Sequence, residues 1–258
     1  MKKDHTFVIL AYKESPYLEE CIQSIMKQKK NSKVVIMTQT PNNFIIKLAK
    51  RYHLNVETIH EKGIGKAFDA AISKSKTKFV TICHQDDVYY DNYYKKVVQK
   101  MKDDTIIAFS DYHEYKNNEL VKTNINLKIK RIQLFPLLFF RKSIFVRRRC
   151  LSFGCPICCP SVTFNREKVK TPLFENPNFR SDVDWQAWET LSKVDGKFIF
   201  VPKACMFHRV HDDSETSRVI ADKQRVKEDI VMFKKFWPDS IAKIICRVYS
   251  ISEKSNSK

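Results

Sequence analysis

Phe79-Val80-Thr81-Ile82-Cys83-His84-Gln85-Asp86-Asp87 is a short, uncharged run of strand-forming residues that stops at two adjacent carboxylates. Such a run reads as a strand buried on both faces, as in a parallel sheet. Adjacent acids repel one another, and a divalent cation is the usual means of holding them together. The C-terminal edge of such a sheet is also where ligands bind. The segment therefore predicts a metal-assisted site for a phosphorylated ligand.

Strand-like and helix-like runs alternate on either side of it. Upstream, residues 6–11, 33–38 and 54–59 read as strands. Ser15-Pro16 is expected to open the first helix, with Ser15 as cap, Pro16 in the first position, and Leu18, Cys21, Ile22 and Ile25 as the inner stripe. A second helix starts near Pro41-Asn42-Asn43, and a third spans 66–75. Downstream come a helix over 91–102, a strand over 105–109, a helix near 185–194, a strand over 197–201 and a long helix near 221–236. The polar residues 250–258 read as a frayed tail. Repeated βα units of this length predict an α/β fold, a mainly parallel sheet flanked by helices. No linker interrupts residues 1–258, which read as one domain with a basic, apolar insertion at 120–166 and a helical end at 221–250.

The chain has four glycines, Gly63, Gly65, Gly154 and Gly196, so neither a Gly-x-Gly-x-x-Gly fingerprint nor a P-loop can be written from it. Lys and Arg number 47 against 29 Asp and Glu, a net charge of +18. That excess suits an anionic partner: nucleic acid, an anionic membrane face or a phosphorylated substrate. From 120 to 166 there are ten basic residues and no acid. Within it Lys128, Lys130, Arg131, Arg141, Lys142 and Arg147-Arg148-Arg149 flank the apolar run 134–140, a pattern that suits an anionic membrane interface. The plainer reading is core with a solvated rim. No helix-turn-helix, zinc-finger or RNP pattern appears, so no nucleic acid is expected as partner.

Eight cysteines occur, and no leader precedes the first strand, so free, buried thiols in a reducing cytoplasm are expected. Cys155-x-x-Cys158 lacks the partnering pair of a zinc site. The longest apolar run, 134–140, has seven residues, well short of the ~20 that span a bilayer. The expected location is cytoplasmic, with a peripheral place at the inner membrane face.

In order and spacing, residues 6–25, 63–71 and His84-Gln85-Asp86-Asp87 resemble the family 2 glycosyltransferases, inverting enzymes of GT-A fold. The likeness covers 5–110 and returns at 181–217. It implies that Ala11, Tyr12 and Glu14 grip the nucleotide, that 63–71 line its pocket with Lys66 and Asp69, and that Asp86 holds the ribose. It implies Asp87 and His211 as ligands of Mg²⁺ or Mn²⁺, and Arg209 beside the diphosphate. His84 stands where the family has its first acid. Strand two ends Met37-Thr38-Gln39-Thr40, without the acid many relatives turn to the base, leaving Thr38 and Gln39 to bond a pyrimidine edge.

In Arg180-Ser181-Asp182-Val183-Asp184-Trp185-Gln186-Ala187-Trp188 the resemblance implies a general base at a helix start followed by aromatic residues. Asp184 fits better than Asp182. Ordinary helix initiation, with Ser181 as cap and Asp182 as first-turn decoration, is the plainer reading. His208-Arg209-Val210-His211, followed by Ser214, can ligate a metal and hold phosphate oxygens, or form a polar surface loop. The resemblance implies a metal-dependent inverting transfer from a nucleotide-diphospho-sugar, a UDP-sugar by preference. The acceptor would be a saccharide or lipid-linked saccharide in cell-surface polysaccharide synthesis. A nucleotide-sugar-forming nucleotidyltransferase would need a glycine-rich loop after strand one, where 11–16 have no glycine. A non-catalytic, basic membrane or nucleic-acid binding protein is the reading of a different class.

Overall fold

A computed structural model describes residues 3–211 and 224–256. Strands β1 (His5–Ala11), β2 (Lys33–Thr38), β3 (Asn55–Thr58) and β4 (Phe79–His84) lie parallel in the order β3-β2-β1-β4. Helices α1 (Leu18–Met26), α2 (Asn43–Arg51) and α3 (Ile64–Lys74) make the crossovers. Side chains alternate across the sheet, so both faces are buried. Phe7 and Ile9 pack with α1 and α2, while Val8 packs with α3.

Local chemistry explains the helix starts. Asn42 caps α2, its Oδ1 accepting from the Ile45 amide at 2.9 Å. Helix α1 begins later than expected: the Ser15 hydroxyl accepts from Tyr17 N–H at 3.3 Å in a turn, and the helix starts at Leu18. The expected inner stripe, Leu18, Cys21, Ile22 and Ile25, is buried. Gly63, at φ +114°, admits the chain to α3. A side chain on Gly65 would place Cβ 2.6 Å from the Phe174 carbonyl oxygen.

After β4 the chain departs from the reading. Residues 91–102 form one α turn, α4 (Tyr93–Lys96), and a 3₁₀ turn, not a full helix. A two-residue strand, β5 (Val88–Tyr89), pairs with β9 (Lys197–Val210). Strand β6 (Thr105–Lys116) runs parallel to β9, and both extend well past 109 and 201. Their distal halves carry polar residues, which hid them. Asn117 and Asn118, both at positive φ, turn β6 into β7 (Glu119–Val121).

The stretch 120–166 is part of the frame. It holds α5 (Ile125–Leu134), a 3₁₀ turn (Phe135–Leu138), α6 (Ile144–Leu151) and β8 (Val162–Asn165). Strand β8 lies antiparallel between β4 and β6, which makes the sheet mixed. Four buried residues are too few to show a period. The arginine triplet is no solvated stripe. Arg147 is 1% exposed, donating to the carbonyls of Gly196 and Val194 at 3.2 and 3.0 Å, and Arg148 pairs with Glu189 at 2.5 Å.

Helix α7 (Val183–Leu191), α8 (Gln224–Lys234) and α9 (Asp239–Asn256) complete the order. Helix α9 continues through most of the expected tail. Ser214 and the expected helix start at 221–223 fall outside the described residues.

Candidate active site

Strands β1, β2 and β4 end side by side, with Ala11 opposite Thr38 and Leu10 opposite His84. Gln85 clamps the end of β1: Tyr12 N–H donates to its Oε1 at 2.9 Å, and its Nε2 donates to the Tyr12 carbonyl at 3.1 Å. Thr38 is 1% exposed, and its hydroxyl accepts from the Thr40 amide at 3.0 Å. Gln39 donates to the Gly63 carbonyl at 3.0 Å. Both groups expected at the base edge thus brace backbone. Tyr12, 50% exposed, and Lys13 and Glu14, also exposed, are open side chains there.

The acids of the β4 edge meet three imidazoles. Asp87 is fully buried, and its Oδ1 accepts from His208 Nδ1 at 2.9 Å and from Arg209 N–H at 3.0 Å. Burial works against charge on His208, but the Asp87 carboxylate outweighs it and pushes the ring up to about 9. His211 Nε2 lies 3.0 Å from Asp86 Oδ2. Burial pushes the Asp86 carboxyl up. The charges of His84 and His208 and the bond to His211 outweigh that and hold it below the usual range. His84 stacks on Phe68, centroids 5.3 Å apart, with its Nδ1 3.9 Å from Asp87 Oδ2.

Among the described residues one cluster can hold a metal: His84, Asp86 and Asp87, with a ligand atom from each within 4.8 Å of the others. His208 and His211 stand behind it on the two carboxylates, a different arrangement from the expected Asp87–His211 pair. Buried Asp87 Oδ2 and His84 Nε2 have no hydrogen-bond partner. Buried polar atoms are almost always satisfied, so two orphans within the His84–Asp86–Asp87 group fit a divalent cation.

Arg209, expected at the diphosphate, is held from several sides. It donates to Asp86 O at 3.0 Å and Glu20 Oε2 at 2.5 Å, and stacks between Tyr17 and Tyr115. Lys66 is half-buried, 3.4 Å from Glu175. Asp69, expected in the nucleotide pocket, accepts from the amides of Leu173, Phe174 and Glu175 and pins that loop to α3.

Asp184 opens α7. Its Oδ1 accepts from Trp185 N–H at 2.7 Å and its Oδ2 lies 3.7 Å from Cys155 Sγ; burial pushes its carboxyl up. Asp182, 4% exposed, is pushed far higher by burial and by nearby Asp229. The expected Ser181 cap is absent. Glu228 of α8 takes the amides of Arg180, Ser181 and Asp182 instead. Cys155 begins the segment 155–160, whose other end meets the strand after Asp87: Tyr89 OH donates to the Pro160 carbonyl at 2.5 Å. Lys130 donates to Tyr112 OH at 2.8 Å, and the Tyr112 ring lies 6.4 Å from that of His208. Gln85, Lys130 and Glu228 were missed as site residues because only distant partners give them their roles, whereas His84 stands two and three residues before the acids it joins.

A mainly parallel sheet flanked by helices, with paired acids on its β4 edge, is the frame of the GT-A glycosyltransferases. Residues 6–171 match the family described as Glycosyl transferase family 2, and the chain belongs to that family. An uncharacterized glycosyltransferase of Rickettsia prowazekii (strain Madrid E) is 22% identical over 253 residues, covering 89% of this chain and 74% of that protein. Among solved structures, S. aureus TarS in complex with UDP-GlcNAc superposes with a TM-score of 0.63 at 13% identity, covering 94% of this chain and 70% of that one. Glucosyl-3-phosphoglycerate synthase from Mycobacterium tuberculosis, in complex with Mn²⁺ and UDP-Glc, gives 0.54 at 13% identity, covering 86% and 79%. The protein is therefore a glycosyltransferase of GT-A fold, and the nucleotidyltransferase and non-catalytic readings are not favoured.

Proposed function

We propose that the chain moves a sugar, with inversion, from a nucleotide-diphospho-sugar to a hydroxyl of a saccharide or lipid-linked saccharide, assisted by Mg²⁺ or Mn²⁺. The orphaned, buried Asp87 Oδ2 and His84 Nε2 at the end of β4 carry this reading. The complexes of the TarS and glucosyl-3-phosphoglycerate synthase relatives with uridine nucleotides support a UDP-sugar as donor. His84, Asp86 and Asp87 would hold the cation, which would offset charge on the departing diphosphate.

The remaining chemistry belongs to the chain's own side chains. Tyr12 offers an exposed ring for the base at the end of β1. The acceptor oxygen forms the new bond to the anomeric carbon as the bond to the diphosphate breaks, and the acceptor proton goes to Asp184. A carboxyl raised by burial is a stronger base than a solvated one, provided that it stays ionised. Asp182 is a poor base, because burial and Asp229 favour its protonated form. His208 and the Arg209 amide fix the orientation of Asp87.

Thermal melts with UDP, GDP and UDP-sugars, with and without Mn²⁺, test the reading. A ligand at a hundred times its Kd adds about 2.7 kcal/mol of stability. UDP with Mn²⁺ should raise the melting temperature of the parent, and Asp87→Asn should lose the Mn²⁺-dependent part. Stabilisation that is the same with and without metal, or unchanged in Asp87→Asn, would overturn the metal assignment.

A further inference from the structure

Helix α5 buries Leu127 and Leu134 and yet presents a second apolar face to the outside. A surface helix ordinarily buries its apolar stripe and gives its charges to water. Here Ile125, Ile129 and Ile132, at i, i+4 and i+7, are 75%, 47% and 73% exposed. Lys130 and Arg131 turn inward instead, each 2.8 Å from a partner, Tyr112 OH and Asp111 Oδ2. The apolar face continues through Phe135 and Phe139, 57% and 68% exposed with ring centroids 5.5 Å apart, and on to Phe145 of α6, 69% exposed.

Helix α9 buries an apolar stripe in the ordinary way and also leaves an apolar pair outside. Ala242 and Cys246 are buried, while Ile244 and Val248, one turn apart, are 63% and 65% exposed. Phe153 joins the two areas. Its carbonyl accepts from Gln133 of α5 at 3.3 Å, and its ring lies 5.3 Å from Trp237, just before α9. Scattered exposed apolar residues are ordinary, whereas a continuous face of this kind marks an interaction surface.

Charge selects the occupant. Lys122, Lys128, Arg141 and Arg149 are exposed around this face, in a stretch with ten basic residues and no acid. A second copy would bring the same positive sign against it. We propose that this surface docks the protein on an anionic lipid bilayer, with the isoleucines and phenylalanines in the acyl boundary and the cations on headgroup phosphates. Docking does not depend on the transfer reaction. It does bring α5, whose inner Lys130 faces the active site, to the membrane, where a lipid-linked acceptor would be met. The Arg147–Arg149 run contributes only its last member, since Arg147 is buried and Arg148 is paired.

Co-sedimentation with vesicles of phosphatidylglycerol and phosphatidylcholine, against pure phosphatidylcholine, tests this. The parent should prefer the anionic vesicles about a hundredfold or more. Lys122→Gln/Lys128→Gln/Arg141→Gln should weaken binding about a hundredfold, at roughly a factor of five for each cation. Ile129→Ser/Ile132→Ser/Phe139→Ser should abolish binding while melting like the parent, since these side chains are exposed. Equal binding to both vesicles, or undiminished binding by the serine variant, overturns the proposal. So does sedimentation equilibrium showing a parent dimer that the serine variant dissociates.

Discussion

Replacing Glu228 with Gln tests the strap that carries Asp184. Glu228 is 2% exposed; its Oε1 accepts from Arg180 N–H at 3.1 Å, and its Oε2 from Ser181 and Asp182 at 2.7 and 3.0 Å. Glutamine keeps the shape but has one carbonyl oxygen. Turned to Ser181 and Asp182, it keeps two bonds without the charge, each weaker by about 1 kcal/mol. Its NH₂ then faces Arg180 N–H and strands that donor, at about 1 kcal/mol because Arg180 is exposed and water relieves part of the loss. The total is about 3 kcal/mol. At about 2–4 °C per kcal/mol for a chain of this size, the melting temperature should fall by roughly 6–12 °C. The loosened strap shifts Asp184 and leaves the β4 edge intact, so kcat should fall while donor KM holds. Thermal melts and initial rates over a donor series read both effects. A glutamine variant that melts within about 1 °C of the parent would refute the cost assigned to these bonds. Unchanged kcat would refute the link from Glu228 to Asp184.

Two further predictions follow from buried titratable groups. Asp184→Asn should cut turnover by roughly 10²–10⁴ with donor binding kept. Asp182→Asn should spare the rate and leave the melt close to the parent's, because it mimics the protonated form that burial and Asp229 favour. Loss of turnover in Asp182→Asn alone would move the base by two residues. His5 is fully buried between Ser32 and Thr81, and burial lowers it to about 3. The unfolded chain binds that proton below about 6.5 and the folded chain does not, so the stability is present above 6.5 and lost as pH falls. Between pH 7.5 and 5.5 the loss is about 1.4 kcal/mol, and His5→Gln should show a pH dependence smaller by that amount in urea unfolding. The same dependence in parent and variant would refute it.

What was legible in the sequence was local. Strands β1, β2 and β4 announce themselves as uncharged runs of β-branched and apolar residues, because a strand covered on both faces has no place for charge. The inner stripe of α1 follows from helical spacing, and Asp86-Asp87 stand at a strand end because the run stops there. Those features suffice for the α/β class and for the edge where the site lies.

Tertiary structure decided the rest. Strand β8 has four residues, and only the gap between β4 and β6 makes it a strand. Asp69 and Glu228 have the composition of ligand-facing acids. They became braces because three backbone amides from far along the chain need acceptors once buried. The pairing of His208 with Asp87 and of His211 with Asp86 depends on β9 crossing the end of β4, more than 120 residues away in sequence. The charge of 120–166 was plain from composition. Its orientation was not: Tyr112, Asp111 and Glu189 draw Lys130, Arg131 and Arg148 inward, and the isoleucines and phenylalanines are left facing out. A pattern of residues states which faces differ, and only the neighbours that fold against them determine which face is inside.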